Sequence, residues 1–246
     1  KKAAIHDTTD RMVYGHEPWL EMAGSHGHAG GSVELHLKWG HNMQTDGLAE
    51  KDGMAALVVG PGGDRDELVI TDGGPDYYSL GFPAPAEGYY HVVTRNTGSY
   101  VKDREGKFHR GTRREHPEAE QAVHYIQYAQ NFVPVGHDLD GVPPEAGIPL
   151  EVSAPAWKQW RAGDMVPLTV EFRGGALDGA TLDIACSGPG GYRQWQEMTA
   201  ADGSFILQAR EPGRYLVVAR HRVPEGEAGV YDALSFTTTL FFWVTK

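Results

Sequence analysis

The chain has 246 residues and a formal net charge of −11, from 22 Lys and Arg against 33 Asp and Glu. An acidic balance of this size repels phosphate backbones, and the densest basic stretch, residues 102–114, is broken by Asp103 and Glu105, so no nucleic-acid partner is expected. Gly 32 and Pro 15 point to many turns and short strands, and the lone Cys186 excludes an intrachain disulfide framework or a thiolate metal cluster.

No apolar run approaches the roughly 18 residues that a membrane span needs. The start, Lys1-Lys2-Ala3-Ala4-Ile5-His6, has neither an initiator Met nor the apolar core of a signal peptide, and reads as a processed mature end or a trimmed one.

The first clear element is Val33-Glu34-Leu35-His36-Leu37-Lys38-Trp39, whose strict alternation predicts a half-buried strand with Val33, Leu35, Leu37 and Trp39 inward. Strands are predicted next over 54–59, 67–71, 77–80 and 89–94, separated by turn clusters such as Gly60-Pro61-Gly62-Gly63-Asp64 and Asp72-Gly73-Gly74-Pro75. One helix is predicted over 116–131. Pro117 stands near its first position, carboxylates follow in the first turn, and Ala119, Ala122, Ile126 and Ala129 recur at helical spacing. His116, Glu120 and His124 would then form a polar stripe or a metal-holding face on that helix.

Linker-like sequence follows, including Val142-Pro143-Pro144-Glu145, and places a domain boundary near 136–150. Strands resume over 166–172, 180–186, 194–199, 204–209, 214–221 and 235–244. The halves share a local repeat, Gly88-Tyr89-Tyr90-His91-Val92-Val93 against Gly213-Arg214-Tyr215-Leu216-Val217-Val218. A tyrosine after such a turn glycine can bond back to the chain at a sandwich corner. The expected fold is all-β: two tandem immunoglobulin-like or transthyretin-like sandwiches, residues 1–140 with the helix 116–131 and residues 150–246.

No nucleophile elbow, zincin helix, phosphate loop or dinucleotide fingerprint occurs, so a non-enzymatic role is expected. Cys186, in an alternating run, reads as a packed side chain. Histidine is the anomaly. Of 12 histidines, all but His221 precede Pro143-Pro144, and imidazole without thiolate suits Ni, Co, Cu or Zn. His16 in Gly15-His16-Glu17-Pro18-Trp19, His41 after Gly40 where a strand enters a loop, and the His26-Gly27-His28 pair are the notable placements. His26 and His28 read either as ligands or as a solvated loop, and His36 as a solvent-facing residue of its strand.

His16-Glu17-Pro18-Trp19-Leu20-Glu21, the strand into Gly40-His41, Gly88-Tyr89-Tyr90, Ser99-Tyr100-Val101-Lys102 and Tyr125-Ile126-Gln127-Tyr128-Ala129 together resemble a bacterial periplasmic family. It is an all-β domain often described as the periplasmic component of nickel or cobalt uptake systems. Gly163-Asp164-Met165-Val166, Ala201-Asp202-Gly203-Ser204-Phe205 and Pro212-Gly213-Arg214-Tyr215 resemble its second sandwich, of transthyretin-like or carboxypeptidase-regulatory-like type. The resemblance implies a periplasmic protein, its signal peptide removed, that binds a divalent transition metal and presents it to a membrane uptake transporter. His16 and His41 match the family's histidines, and Asp46 falls at an acidic loop position. His26 and His28 are candidate additional ligands, and His137 is a further histidine outside the family pattern. Nickel or cobalt is the expected ion, with zinc or copper as alternatives, and neutral imidazole ligands predict affinity falling below about pH 6. A different class of function is a sandwich module binding carbohydrate or protein, with Trp19, Trp39, Trp157, Trp160 and Trp195 as stacking platforms.

Overall fold

A computed structural model describes residues 16–246. Among these residues there are strands, bridges and turns but no helix. The longer strands of the first half are β1 (Glu17–Met22), β2 (Gly31–His41), β3 (Ala55–Val59), β4 (Arg65–Leu68), β5 (Tyr77–Ala84), β6 (Gly88–Lys102) and β7 (Gln121–Val135). Those of the second half are β8 (Leu150–Ser153), β9 (Met165–Phe172), β10 (Thr181–Gly188), β11 (Gly191–Met198), β12 (Ser204–Gln208), β13 (Gly213–Val223) and β14 (Ala233–Thr245).

Alternation works as expected in β2, where Val33, Leu35, Leu37 and Trp39 are buried. β2 lies between β1 and β5 in a small antiparallel sheet. Leu35, Leu37, Leu80 and Phe82 from this sheet meet Val58, Tyr90, Val92, Ala129 and Val133 from β3, β6 and β7 in one apolar layer. β9, with β8 and β12 on either side, forms a second small sheet. Val166, Leu168 and Val170 on β9 pack with Ile184, Val217 and Leu240 in a larger core.

Both small sheets lie on one large sheet ordered β11-β10-β13-β14-β7-β6-β3-β4. Its two halves join where β7 pairs in parallel with β14, from Val123 opposite Ala233 to Gln130 opposite Leu240. The strands on either side of the expected boundary thus belong to one hydrogen-bonded sheet.

The expected helix is not present: residues 121–135 are β7, the strand between β6 and β14. The reason lies in its position. β7 is covered on both faces, Tyr128 and Phe132 entering one core and Ala129, Val133 and Val135 the other. A strand buried on both sides carries no polar/apolar alternation, and alanines in such a run mimic a helical face. Pro117 and its flanking carboxylates lie in turns, so His116, Glu120 and His124 share no helix face. His124 instead bonds Ser99 Oγ across to β6 at 3.0 Å and stacks on Tyr231.

The repeated Gly-x-Tyr motif forms the same corner twice. The Tyr90 hydroxyl donates to the Ala86 carbonyl at 3.0 Å and accepts from its N–H at 3.2 Å. Tyr215 does the same to Glu211, at 2.9 and 3.2 Å. The glycines are required here, since Gly88 and Gly213 have φ of 136° and 150°.

A buried polar network crosses between the halves. His91 Nδ1 lies 2.8 Å from the Pro144 carbonyl, and its Nε2 faces the Gln130 amide at 3.0 Å. With the Gln130 nitrogen turned toward His91 and the Val152 carbonyl, its oxygen accepts from Val152 N–H and Thr238 Oγ1. In that orientation His91 donates through Nδ1 and accepts through Nε2, which is a neutral imidazole. Complete burial holds His91 down to about 4, consistent with that neutral state.

Candidate metal centre

The register of β1 on β2 brings His16 and His41 together. Glu17 pairs with Gly40, so His16, one residue before β1, stands beside His41 at the end of β2. The chain then reverses through Asn42 and Met43, both with φ of 54°, and returns as Gln44-Thr45 against Gly40 and His41. Two positive φ values in a two-residue hairpin are the signature of a type I′ turn. Asn accepts that conformation readily, whereas Met does so at a cost. Burial of the Met43 side chain beside Trp19, Leu216 and Phe241 offsets it.

Gly40 makes the return possible. An added Cβ would lie 2.7 Å from the Gln44 carbonyl carbon and 3.1 Å from Thr45 Cα. Asp46, next in the chain, bonds through its N–H to the Trp39 carbonyl at 3.3 Å, which aims its carboxylate at the two histidines. The Gly-His pair in the sequence is thus a close-packing device followed by a ligand.

His16 Nε2 lies 2.6 Å from Asp46 Oδ1, and His41 Nδ1 lies 3.6 Å from Asp46 Oδ2. The two imidazole centroids are 4.9 Å apart. One ligating atom from each of the three residues falls within 4.8 Å of the others. Two ligands of one ion, each about 2.1 Å from it, are separated by at most about 4.2 Å, so a small side-chain rotation closes the set. His16 is buried, His41 is partly open and Asp46 is at the surface, giving a fixed base with a solvent-facing rim. His16 Nε2 and Asp46 Oδ1 stand at hydrogen-bond distance, and an ion bound between them would take the place of the proton in such a bond. Two neutral imidazoles and one carboxylate form a mixed donor set that fits Ni, Co or Zn.

The β1 segment is tightly clamped to the large sheet. Thr239 Oγ1 donates to the Pro18 carbonyl at 2.8 Å, and Asn131 Nδ2 donates to the Leu20 carbonyl at 2.9 Å. Arg220 bonds Glu17 at 2.6 Å and also Asp183. Burial pushes the Glu17 carboxyl up to about 7 despite the Arg220 guanidinium. Beside His41, Glu17, Met43, Tyr192, Gln194 and Arg220 line a cleft of about 430 Å³.

His26 and His28 do not join this group. They sit in the loop between β1 and β2, at the other end of β2, where they meet His137. Eleven residues of strand at about 3.3 Å each put the two groups roughly 30 Å apart along β2. The candidates expected around one ion therefore divide into His16, His41 and Asp46 on one side, and His26 and His28 on the other. The placement of His137 with the latter pair was not legible in the sequence, because the contact that brings it there is made by backbone.

Of the expected stacking platforms, Trp19, Trp39, Trp157 and Trp160 are buried, and only Trp195 keeps partial access. Cys186 is also buried, and burial pushes its thiol up, consistent with a packed side chain. His36, expected to face solvent, is half-buried and lies over Tyr77 with centroids 4.1 Å apart.

Solved structures similar to this chain share low identity with it. A tetra-tandem repeat from the extending region of a large adhesion protein is 13% identical, covering 93% of this chain and 49% of that one, with a TM-score of 0.27. A DUF4785 family protein from Legionella pneumophila is 11% identical over 82% of this chain and 51% of that one, with a TM-score of 0.29. A marsupial T cell receptor is 14% identical over 93% and 72%, with a TM-score of 0.22. The chain spans about half the length of the first two. A search of curated proteins finds no match. The family model for a domain of unknown function, DUF4198, matches residues 13–223, and the chain belongs to that family.

Proposed function

We propose that this protein captures a divalent transition metal ion, nickel or cobalt, at His16, His41 and Asp46 and presents it to a membrane uptake transporter. The observation that carries this reading is the meeting of three ligating side chains, one before β1, one ending β2 and one beyond the hairpin turn, within 4.8 Å. Their donor chemistry supports the choice of metal: neutral nitrogen with one carboxylate suits nickel and cobalt, and selectivity then comes from geometry rather than raw affinity. The half-open rim at His41, next to the cleft, supports a carrier role, since an ion held from one side leaves positions for an acceptor's ligands. The periplasmic location and the transporter partner rest on the sequence resemblance. The role is binding and delivery rather than catalysis.

Calorimetric titration of the tag-free protein with nickel, cobalt, zinc and copper chlorides tests the reading. The expected result is binding of nickel or cobalt with loss of one equivalent in the His16→Ala/His41→Ala variant. Affinities for both ions weaker than about 100 µM, equivalent to about −5.5 kcal/mol, overturn it. So does an unchanged stoichiometry in the double variant.

A further inference from the structure

We infer that His26, His28 and His137 form a second metal site, of three imidazoles and no carboxylate, for a late divalent ion, copper(II) ahead of zinc(II). It does not rest on the His16 site, because no residue is shared and the two lie at opposite ends of β2.

The three rings form a closed triangle. Their centroids are 4.7 Å apart for His26 and His28, 4.4 Å for His26 and His137, and 5.4 Å for His28 and His137. One ring nitrogen from each lies within 4.8 Å of the others. His26 is the inner member. Its Nδ1 bonds Ser25 Oγ at 3.0 Å, while its Nε2 is shielded from solvent with no hydrogen-bond partner among the described residues. A buried ring nitrogen left bare is unfavourable, and a coordinated ion supplies what it lacks.

The triangle is held by backbone rather than by chance side-chain contact. Gly27 N–H donates to the Pro134 carbonyl at 2.8 Å, and Gly136 N–H donates back to the Gly27 carbonyl at 2.9 Å. The loop is further closed by Gly31 N–H on the His28 carbonyl at 3.0 Å and Gly30 N–H on the Ala84 carbonyl at 2.8 Å. Gly27 faces inward: its Cβ, if present, would meet Val33 Cγ2 at 2.7 Å and Val135 Cγ2 at 3.1 Å. In an extended segment His26 and His28 then project together to the opposite side. His137 stands between Gly136 at φ 115° and Asp138 at φ 49°, a reversal just after β7 that places its ring against the pair.

Three uncharged nitrogen donors discriminate against magnesium, calcium and manganese, which prefer oxygen, and the ordinary affinity order places copper(II) first among the late ions. His28 and His137 are exposed, so the remaining coordination positions face solvent. The site therefore holds an exchangeable ion.

The test titrates copper(II) and zinc chloride into the full chain carrying His16→Ala and His41→Ala, with and without His28→Gln and His137→Gln. Circular dichroism and thermal melting serve as checks that each variant is folded. The expected result is one bound ion in the parent, with electron paramagnetic resonance showing three coordinated nitrogens for copper(II). His137→Gln, a surface change, should reduce that to two and weaken binding at least about tenfold, equivalent to about 1.4 kcal/mol. Equal affinity and an unchanged spectrum in the His28→Gln/His137→Gln variant overturn the proposal. Parent binding of copper(II) weaker than about 100 µM overturns it as well.

Discussion

Gly40 lies against the backbone of Gln44 with no room for a side chain, its would-be Cβ only 2.7 Å from the Gln44 carbonyl carbon. This contact lets the Gln44-Thr45 segment fold back on β2 and puts Asp46 over His16 and His41. Gly40→Ala should push the segment outward, costing about 1–3 kcal/mol of stability by overpacking. Nickel or cobalt affinity at His16, His41 and Asp46 should fall at least about tenfold, while copper(II) binding at the His26 triangle persists. Calorimetry with both metals, beside a thermal melt, separates local from global damage. Full retention of nickel and cobalt affinity would show that the turn does not position the ligands.

Asp46 has two relations in the site, a 2.6 Å contact to His16 and a 3.6 Å approach to His41. Asp46→Asn keeps an acceptor for His16 and removes the only charge that the donor set contributes. The expected outcome is a folded protein whose nickel or cobalt dissociation constant rises at least about tenfold, since even a group that only orients a ligand is typically worth about 10- to 100-fold in a metal site. Titration with either chloride checks this, and an unchanged constant would remove Asp46 from the site.

Much of this architecture is written in local pattern. Val33 to Trp39 declares its buried face by alternation, and the two Gly-x-Tyr corners announce themselves by spacing. β7 does not, because a strand covered on both faces loses the period that identifies it, and Ala119, Ala122, Ile126 and Ala129 then imitate a helix. The site follows the same division. His16 and His41 each follow a glycine in the sequence, and the β1–β2 register makes them neighbours. His137 is joined to His28 across 109 positions by backbone bonds between Gly27 and the end of β7, and such contacts leave no side-chain signature.

His91 makes stability depend on pH in a defined window. Burial lowers it from 6.5 to about 4 in the folded state. Between those values the unfolded chain holds a proton that the folded one does not. Its contribution is therefore complete above about pH 6.5 and is lost as pH falls toward 4, a change on the order of 3 kcal/mol. Glu151, whose Oε1 lies 3.7 Å from His91 Nδ1, acts in the opposite sense, because burial raises its carboxyl. The Arg65 charge adds to the lowering of His91. Denaturant midpoints from pH 7.5 to 4 should fall more steeply in the wild type than in His91→Gln. Equal slopes would mean that His91 is not held neutral.

The shared sheet makes a cooperative prediction about the two halves. Tyr90 and Tyr215 are both buried, and each hydroxyl makes two bonds to backbone four residues earlier. Tyr90→Phe and Tyr215→Phe should each cost about 1–2 kcal/mol through the lost bonds. The corners lie in different apolar cores with no shared partner, so the costs should add in the double variant. Because β7 and β14 pair along eight residues and the His91 network crosses the same junction, both changes should lower one and the same unfolding transition. Calorimetry and urea unfolding followed by tryptophan fluorescence would report this as a single shifted transition in every variant. Two transitions, with Tyr90→Phe moving only one and Tyr215→Phe only the other, would show that the halves unfold separately and that the parallel β7–β14 pairing contributes little to holding them together.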